Sequence, residues 1–189
     1  PLYKLIKENI VSSNYVQADE TTLQVLNEEG KAAASKSYIW VYSALATANN
    51  NTTSVVFEYQ PTRGGYHADN FLTKFTGFLQ TDGYQGYNFI KAKPNIVPLS
   101  CWAHARRHFM DIIKITKTAG KAHVAVSYIQ KLYNIEKQQQ GLPFADIVKA
   151  RQQYAKPVLF EFKNWLDASI IHAPPKGPLA KAMAYILDR

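Results

Sequence analysis

The chain has 189 residues, 47% of them hydrophobic and 19% charged, with a formal net charge of +8. That balance fits one core-forming domain, or one domain carrying an insertion, and excludes disorder of the whole chain. The positive excess favours a polyanionic partner, nucleic acid before anionic membrane, with a merely basic protein as the plain alternative.

Residues 2–10 space Leu2, Leu5, Ile6 and Ile10 at helical intervals with lysines between. They predict an amphipathic lead-in helix of a longer protein, not a leader peptide. Residues 15–22 read as a strand carrying Asp19. Residues 27–37 are polar, with Gly30, and form a connection. Residues 38–46, YIWVYSALA, are continuously apolar and aromatic, which predicts a strand buried on both faces. Asn49, Asn50 and Asn51 mark a turn, and residues 53–59, TSVVFEY, are β-branched and aromatic like a third strand. The short links predict an antiparallel meander.

A break at residues 61–65 follows. Phe71, Leu72 and Phe75 share one face of a helix over 68–75. Residues 78–82 form a fourth strand that delivers Asp82 into the turn from Gly83 to Gly86. Residues 84–91 are a short helix or turn, and 96–100 a fifth strand bracketed by Pro94 and Pro98. Strand-helix-strand implies a parallel pair with a right-handed crossover. The expected fold class is α/β, with a mixed five-stranded sheet and flanking helices.

Residues 102–118 give the clearest helix. At about 100° per residue, Trp102, Ala105, Phe109, Ile112, Ile113 and Thr116 fall together. That face is expected on the sheet. Arg106, Arg107, Lys114, Lys117 and Lys121 fall nearly opposite. A solvated charged face is the usual account of such a stripe; beside two strand-end acids, DNA contact is favoured. From Lys121 onward only helical periods remain, over 124–139, 144–171 with Pro157 dividing or kinking the run, and 179–189. The last of these carries no cap, so the fold is expected to continue beyond Arg189. No apolar run reaches the roughly 18–20 residues of a membrane span.

Asp19 and Asp82 are the candidate catalytic pair. Phosphoryl transfer on nucleic acid needs oxygen ligands for divalent ions, and carboxylates on neighbouring strand ends can supply them. On spacing alone, a strand-end acid and a turn acid before glycine account for both equally well. Glu20 adjoins Asp19 but points to the other face of a strand, and is left out of that metal site. Tyr84 and Tyr87 are expected to pack with only their hydroxyls exposed, in preference to stacking on bases. The single cysteine, Cys101, excludes an intrachain disulfide and fits a reducing compartment. Cys101 and His104 form a C-x2-H pair without the partners of a structural zinc site. His104, His108 and Asp111 share a helix face, where hydrogen bonding in support of the acids is favoured over metal binding.

Taken in order, ADET at 18–21, VL at 25–26, YIWVY at 38–42, LQTDGYQGYN at 79–88 and CWAHARRHF at 101–109 resemble the insertion-sequence 66 group of bacterial DDE transposases. LYNIE at 132–136 and PPKGPLAKAMAYILDR at 174–189 extend the likeness over nearly the whole chain. The resemblance implies a ribonuclease-H-like core over residues 1–119 and a helical insertion over 120–189. It implies Asp19 and Asp82 as the first two catalytic and metal-binding acids, with Cys101 and His104 in support. Two Mg²⁺ or Mn²⁺ ions are expected in the complete enzyme. The partners implied are transposon ends and target DNA, reached through Arg106, Arg107, Lys114 and Lys117. A bacterial cytoplasmic setting at the nucleoid is implied, and a homo-oligomer of the full-length protein is compatible. The third acid, a glutamate in an Asn-Asn-x-x-Glu context, is not in the sequence; neither Glu136 nor Glu161 has that context. This length of chain is therefore expected to be inactive alone. A nuclease or resolvase on the same fold, and a non-catalytic DNA-binding module, are the rival readings.

Overall fold

The computed structural model describes residues 2–45, 53–116 and 119–189. The turn expected at Asn49–Asn51 and the cation Lys117 lie outside those residues. The chain divides into two compact units, 1–101 and 102–189. This division falls before the basic helix, whereas the domain boundary expected from sequence falls after it.

The first unit opens with α1 (Leu2–Val11), then β1 (Tyr15–Gln24), β2 (Lys36–Ala44) and β3 (Ser54–Gln60). Next come α2 (Tyr66–Phe71), β4 (Gly77–Thr81), a 3-10 helix over Gln85–Ala92 and β5 (Ile96–Ser100). The five strands form one mixed sheet in the order β3-β2-β1-β4-β5. β1 pairs antiparallel with β2, and β2 with β3, as the short links require. β4 runs parallel to both β1 and β5. The edge strand β5 tolerates Pro98 because a proline there removes no central ladder bond.

Alternation along each strand sorts the side chains onto two faces. Val16 and Ala18 of β1, Trp40, Tyr42 and Ala44 of β2, Val56 of β3, Leu79 of β4 and Ile96 of β5 are buried in one core. Ile10 of α1, Ala68 and Phe71 of α2, then Leu72, Phe75, Tyr87 and Ile90 cover them. Tyr42 stacks on Phe71 with ring planes 7° apart. Removing a wholly buried aromatic such as Trp40 is expected to cost about 3–5 kcal/mol.

The other face carries Gln17 and Asp19 of β1 and Phe78 and Gln80 of β4. Its outer strands leave Val55, Phe57, Tyr59, Val97 and Leu99 exposed. This corrects the expectation for β2. Trp40, Tyr42 and Ala44 are buried, while Ile39, Val41 and Ser43 between them are only half-buried. The uniform hydrophobicity of that run reflects side-chain type, not burial on both faces. The helix expected over 68–75 is also shorter and earlier, and Leu72 and Phe75 join the core from the segment after it.

The second unit comprises α3 (Trp102–Thr116), α4 (Lys121–Gln138), α5 (Phe144–Ala150), a π-helical turn over Arg151–Ala155, α6 (Lys156–Ile170) and α7 (Pro178–Leu187). Phe109 of α3 is buried with Ala122, Ala125 and Ile129 of α4, Phe162 and Leu166 of α6, and Ala182 and Met183 of α7. The apolar face of α3, expected on the sheet, finds partners within the second unit: amphipathic spacing announces a buried face but not what buries it. Pro157 is the second residue of α6 and follows directly on the π turn, so the N–H it lacks falls where the α-helical bonding has already shifted by one residue. The helical run is interrupted just before it, by the π turn.

Candidate metal centre

The register of β1 and β4 builds the site. Tyr15 pairs with Phe78, Val16 with Leu79 and Gln17 with Gln80. Continued two residues past its last pair, and one residue beyond the end of β4, the same register points Asp19 toward Asp82. Alternation puts both on the face opposite the core. Their carboxylate oxygens can be chosen within 4.8 Å of each other. Asp19 is exposed and Asp82 half-buried.

Local bonds orient both carboxylates. The Glu20 backbone N–H donates to Asp19 Oδ1 at 2.9 Å. The Tyr84 N–H donates to Asp82 Oδ1 at 2.8 Å, closing an Asx turn. Gly83 makes that turn with φ of +81°, a conformation open to glycine at little cost.

Behind Asp19, on the core side, Glu20 continues the line of Val16 and Ala18 and has a wholly buried side chain. Arg63 donates Nε and Nη2 to Glu20 Oε1 at 2.8 and 2.6 Å, and the Tyr87 hydroxyl donates to Oε2 at 2.9 Å. Burial pushes the Glu20 carboxyl above the usual range, while the bonds from Arg63 and Tyr87 pull it back and nearby Asp82 adds to the rise. Burial, with Glu20 beside it, pushes the Tyr87 phenol far up, so it stays a donor.

The sequence reading put Glu20 on the face away from Asp19, and the strand bears this out. It missed that a charge on the core face must find partners. The line Val16, Ala18, Glu20 was the available signal; nothing in the loop around Arg63 announced the other half. Tyr84 and Tyr87 do pack, and the hydroxyl of each makes a hydrogen bond. Tyr84 donates to the Arg63 carbonyl at 2.9 Å, and its ring lies 3.8 Å under the Arg63 guanidinium.

Cys101 closes the first unit directly after Ser100, which pairs with Thr81 beside Asp82. His104 lies in the first turn of α3, in the second unit. Of the basic stripe on α3, Arg107 is exposed and Arg106 half-buried. Lys114 is exposed and bonded to Asp111 at 2.9 Å. Lys121, expected in that stripe, instead opens α4 and donates to the Ser169 carbonyl at 3.2 Å. Glu136 is held by Arg151 through two bonds of 2.8 and 2.7 Å, and Glu161 is exposed.

A family model described as "Transposase IS66 family" matches residues 1–189, the whole chain. The chain belongs to that family. Among curated proteins of Sinorhizobium fredii, the uncharacterized protein y4jD is 30% identical over 99% of this chain and 38% of its own length. The uncharacterized protein y4qI is 28% identical over 97% of the chain and 35% of its own length. The uncharacterized protein y4hP is 26% identical over the whole chain and 37% of its own length. The chain thus spans less than two fifths of the curated relatives it matches. No solved structure matches it. No helix among the described residues is long and apolar enough to cross a membrane. The family is described as one of transposases.

Proposed function

We propose that this IS66-family chain supplies the first two catalytic acids, Asp19 and Asp82, of a ribonuclease-H-like DNA transposase. The observation that carries the reading is the register of β1 and β4. It brings two acids far apart in sequence to one end of a sheet, each two residues past the last paired positions, Gln17 and Gln80. Two carboxylates within 4.8 Å of each other are hard oxygen donors of the kind Mg²⁺ and Mn²⁺ take. When bound, such ions activate the attacking oxygen and stabilise the leaving one.

The chain's own part is to hold and orient. Asp19 and Asp82 would hold the ions, two in the complete enzyme, and the sheet would keep their spacing. In the first step a water oxygen attacks phosphorus and the bond to the 3′ oxygen breaks. This leaves a 3′-OH and a 5′-phosphate, and the water's second proton passes to solvent. In the second step that 3′-OH attacks a target phosphodiester, joins to its 5′ side and releases the target's own 3′-OH. Cys101 and His104 are proposed to support the acids, and Arg106, Arg107, Lys114 and Lys117 to bind DNA phosphates. Residues 1–119 would form the catalytic core and 120–189 an insertion before the third acid. The bacterial nucleoid is the setting such a substrate implies.

The test uses the full-length protein, labelled transposon-end DNA, target DNA and Mg²⁺. Cleaved ends and joined products are expected, and both should vanish in Asp19→Asn and Asp82→Asn. Cleavage without joining would make it a nuclease or resolvase. Undiminished cleavage in Asp82→Asn would sink the assignment.

A further inference from the structure

Asp82 lies just past the hydrogen-bonded end of its strand. Pairing between β1 and β4 stops at Gln17 and Gln80, and β4 itself ends at Thr81. Sheet pairing alone therefore does not fix Asp82 beside Asp19. The turn after Asp82 is tied instead from the opposite face of β1. Its Tyr84 N–H holds Asp82 Oδ1 at 2.8 Å. The Tyr84 ring lies 3.8 Å from the Arg63 guanidinium, and its hydroxyl donates to the Arg63 carbonyl at 2.9 Å. Arg63 in turn donates twice to Glu20 Oε1, at 2.8 and 2.6 Å. Tyr87, further along the same turn, donates to Glu20 Oε2 at 2.9 Å. The two loops also touch through their backbones: a Cβ on Gly65 would stand 1.9 Å from the Gly86 carbonyl oxygen. A continuous run of contacts thus leads from Asp19 through Glu20, Arg63 and Tyr84 to Asp82.

A buried carboxylate is a costly anchor. An apolar residue in line with Val16 and Ala18 would serve stability as well or better. What a carboxylate adds is direction, because it fixes a planar guanidinium and a phenol at set angles. We propose that Glu20 is a positioning residue: through Arg63, Tyr84 and Tyr87 it fixes the turn carrying Asp82, and so sets the spacing of the Asp19 and Asp82 carboxylates for a divalent cation. The inference rests on the reading of Asp19 and Asp82 as the metal-binding pair. Glu20 does not ligate the ion itself. Both its oxygens are bonded and its side chain is wholly buried on the far side of β1.

The experiment is a Mn²⁺ titration followed by electron paramagnetic resonance of the free ion, with folding checked by circular dichroism and thermal melts. Arg63→Ala is expected to weaken Mn²⁺ binding by roughly 10–100-fold, the usual range for groups that orient metal ligands. Arg63→Lys and Glu20→Gln, which keep part of the bonding, should weaken it less. If Glu20 were a ligand, Arg63→Ala would release its carboxylate and tighten binding; tighter or unchanged binding in the folded variant overturns the proposal. Should Arg63→Ala fail to fold, Tyr84→Phe and Tyr87→Phe each delete one bond of the brace, and unchanged affinity in both overturns it equally. Parent binding that ignores Asp82→Asn would defeat the metal-pair reading itself. Sensitivity to Asp82→Asn with indifference to the Arg63 variants would defeat the positioning role alone.

Discussion

Gln17 Nε2 donates to Gln80 Oε1 at 2.7 Å, across the junction of β1 and β4 and two residues before Asp19 and Asp82. The same Gln80 oxygen accepts the Tyr15 hydroxyl at 2.5 Å, and its amide donates to the Ser100 carbonyl at 3.2 Å. One side chain therefore ties β1, β4 and β5 on the face that bears the acids. Slipping this pairing by one residue would send Asp19 and Asp82 to opposite faces.

Gln80→Ala removes this tie and leaves its half-buried partners short of a bond. At about 1 kcal/mol per net hydrogen bond, the variant should be destabilised by about 1–3 kcal/mol. Urea unfolding checks this, and a midpoint equal to the parent's would show the tie to be idle. Mn²⁺ affinity should fall with it, since the acids depend on the register that Gln80 pins.

Much of the first unit was legible because strands advertise themselves by alternation and by side-chain type. Val16, Ala18, Leu79 and Ile96 fall on the core face as a period of two demands, and Asp19 and Asp82 fall opposite. The brace behind them was not legible, because Glu20 and Arg63 are 43 residues apart and no local pattern links a strand charge to a loop cation. The apolar stripe of α3 foretold burial of Phe109, but Ile129, Phe162 and Met183 bury it and the stripe could not say so. The π turn at Arg151–Ala155 shifts backbone bonds by one residue and leaves no period to read.

Glu136 and Arg151 give the second unit a pH-dependent increment. The bonds from Arg151 hold the Glu136 carboxyl below the usual carboxylate range. A depressed folded pKa means that the unfolded chain binds the proton more readily. The stabilisation is thus complete above the unfolded pKa of about 4.3 and fades as pH falls through the lower folded value. The pair is about half exposed, at 51% and 44%, so solvent screening limits it to under about 1 kcal/mol. Glu136→Gln should lower the melting temperature slightly at neutral pH and converge with the parent at acid pH. A constant difference between the two proteins across that range would refute the linkage.

Among the described residues of the proposed DNA face, Arg107 and Lys114 are the exposed cations, and Lys114 is already bonded to Asp111 at 2.9 Å. Phosphate contacts carry no sequence information, so binding to arbitrary duplexes should be similar and should fall steeply with salt through counterion release. Arg107→Glu should weaken binding and flatten the salt slope. Asp111→Asn should do the reverse, because it frees Lys114 and removes a repelling charge. Fluorescence anisotropy at several salt concentrations checks both, and an Asp111→Asn variant that binds no tighter would place Lys114 outside the contact surface.

The 189-residue chain is expected to bind Mn²⁺ weakly and to leave transposon-end DNA uncut. Its first unit brings Asp19 and Asp82 together, and two carboxylates suffice to hold one ion, which keeps several waters. Setting a second ion about 3.5–4 Å away calls for a further ligand. Glu136 is unsuited to that part, since both its oxygens are bonded to Arg151 in the second unit. Glu161 is exposed on α6 and lacks the Asn-Asn-x-x-Glu context that the family likeness attaches to the third acid. The relatives matched by this chain run to more than twice its length, which gives room for such a glutamate elsewhere in them. The comparison is between the 189-residue chain and a full-length family member, on the same transposon-end DNA with Mg²⁺ or Mn²⁺. Cutting and joining by the longer protein alone is the expected result. Strong cutting by the short chain that disappears in Asp82→Asn would mean that it holds its own third acid. Glu136→Gln and Glu161→Gln would then show which of the two it is.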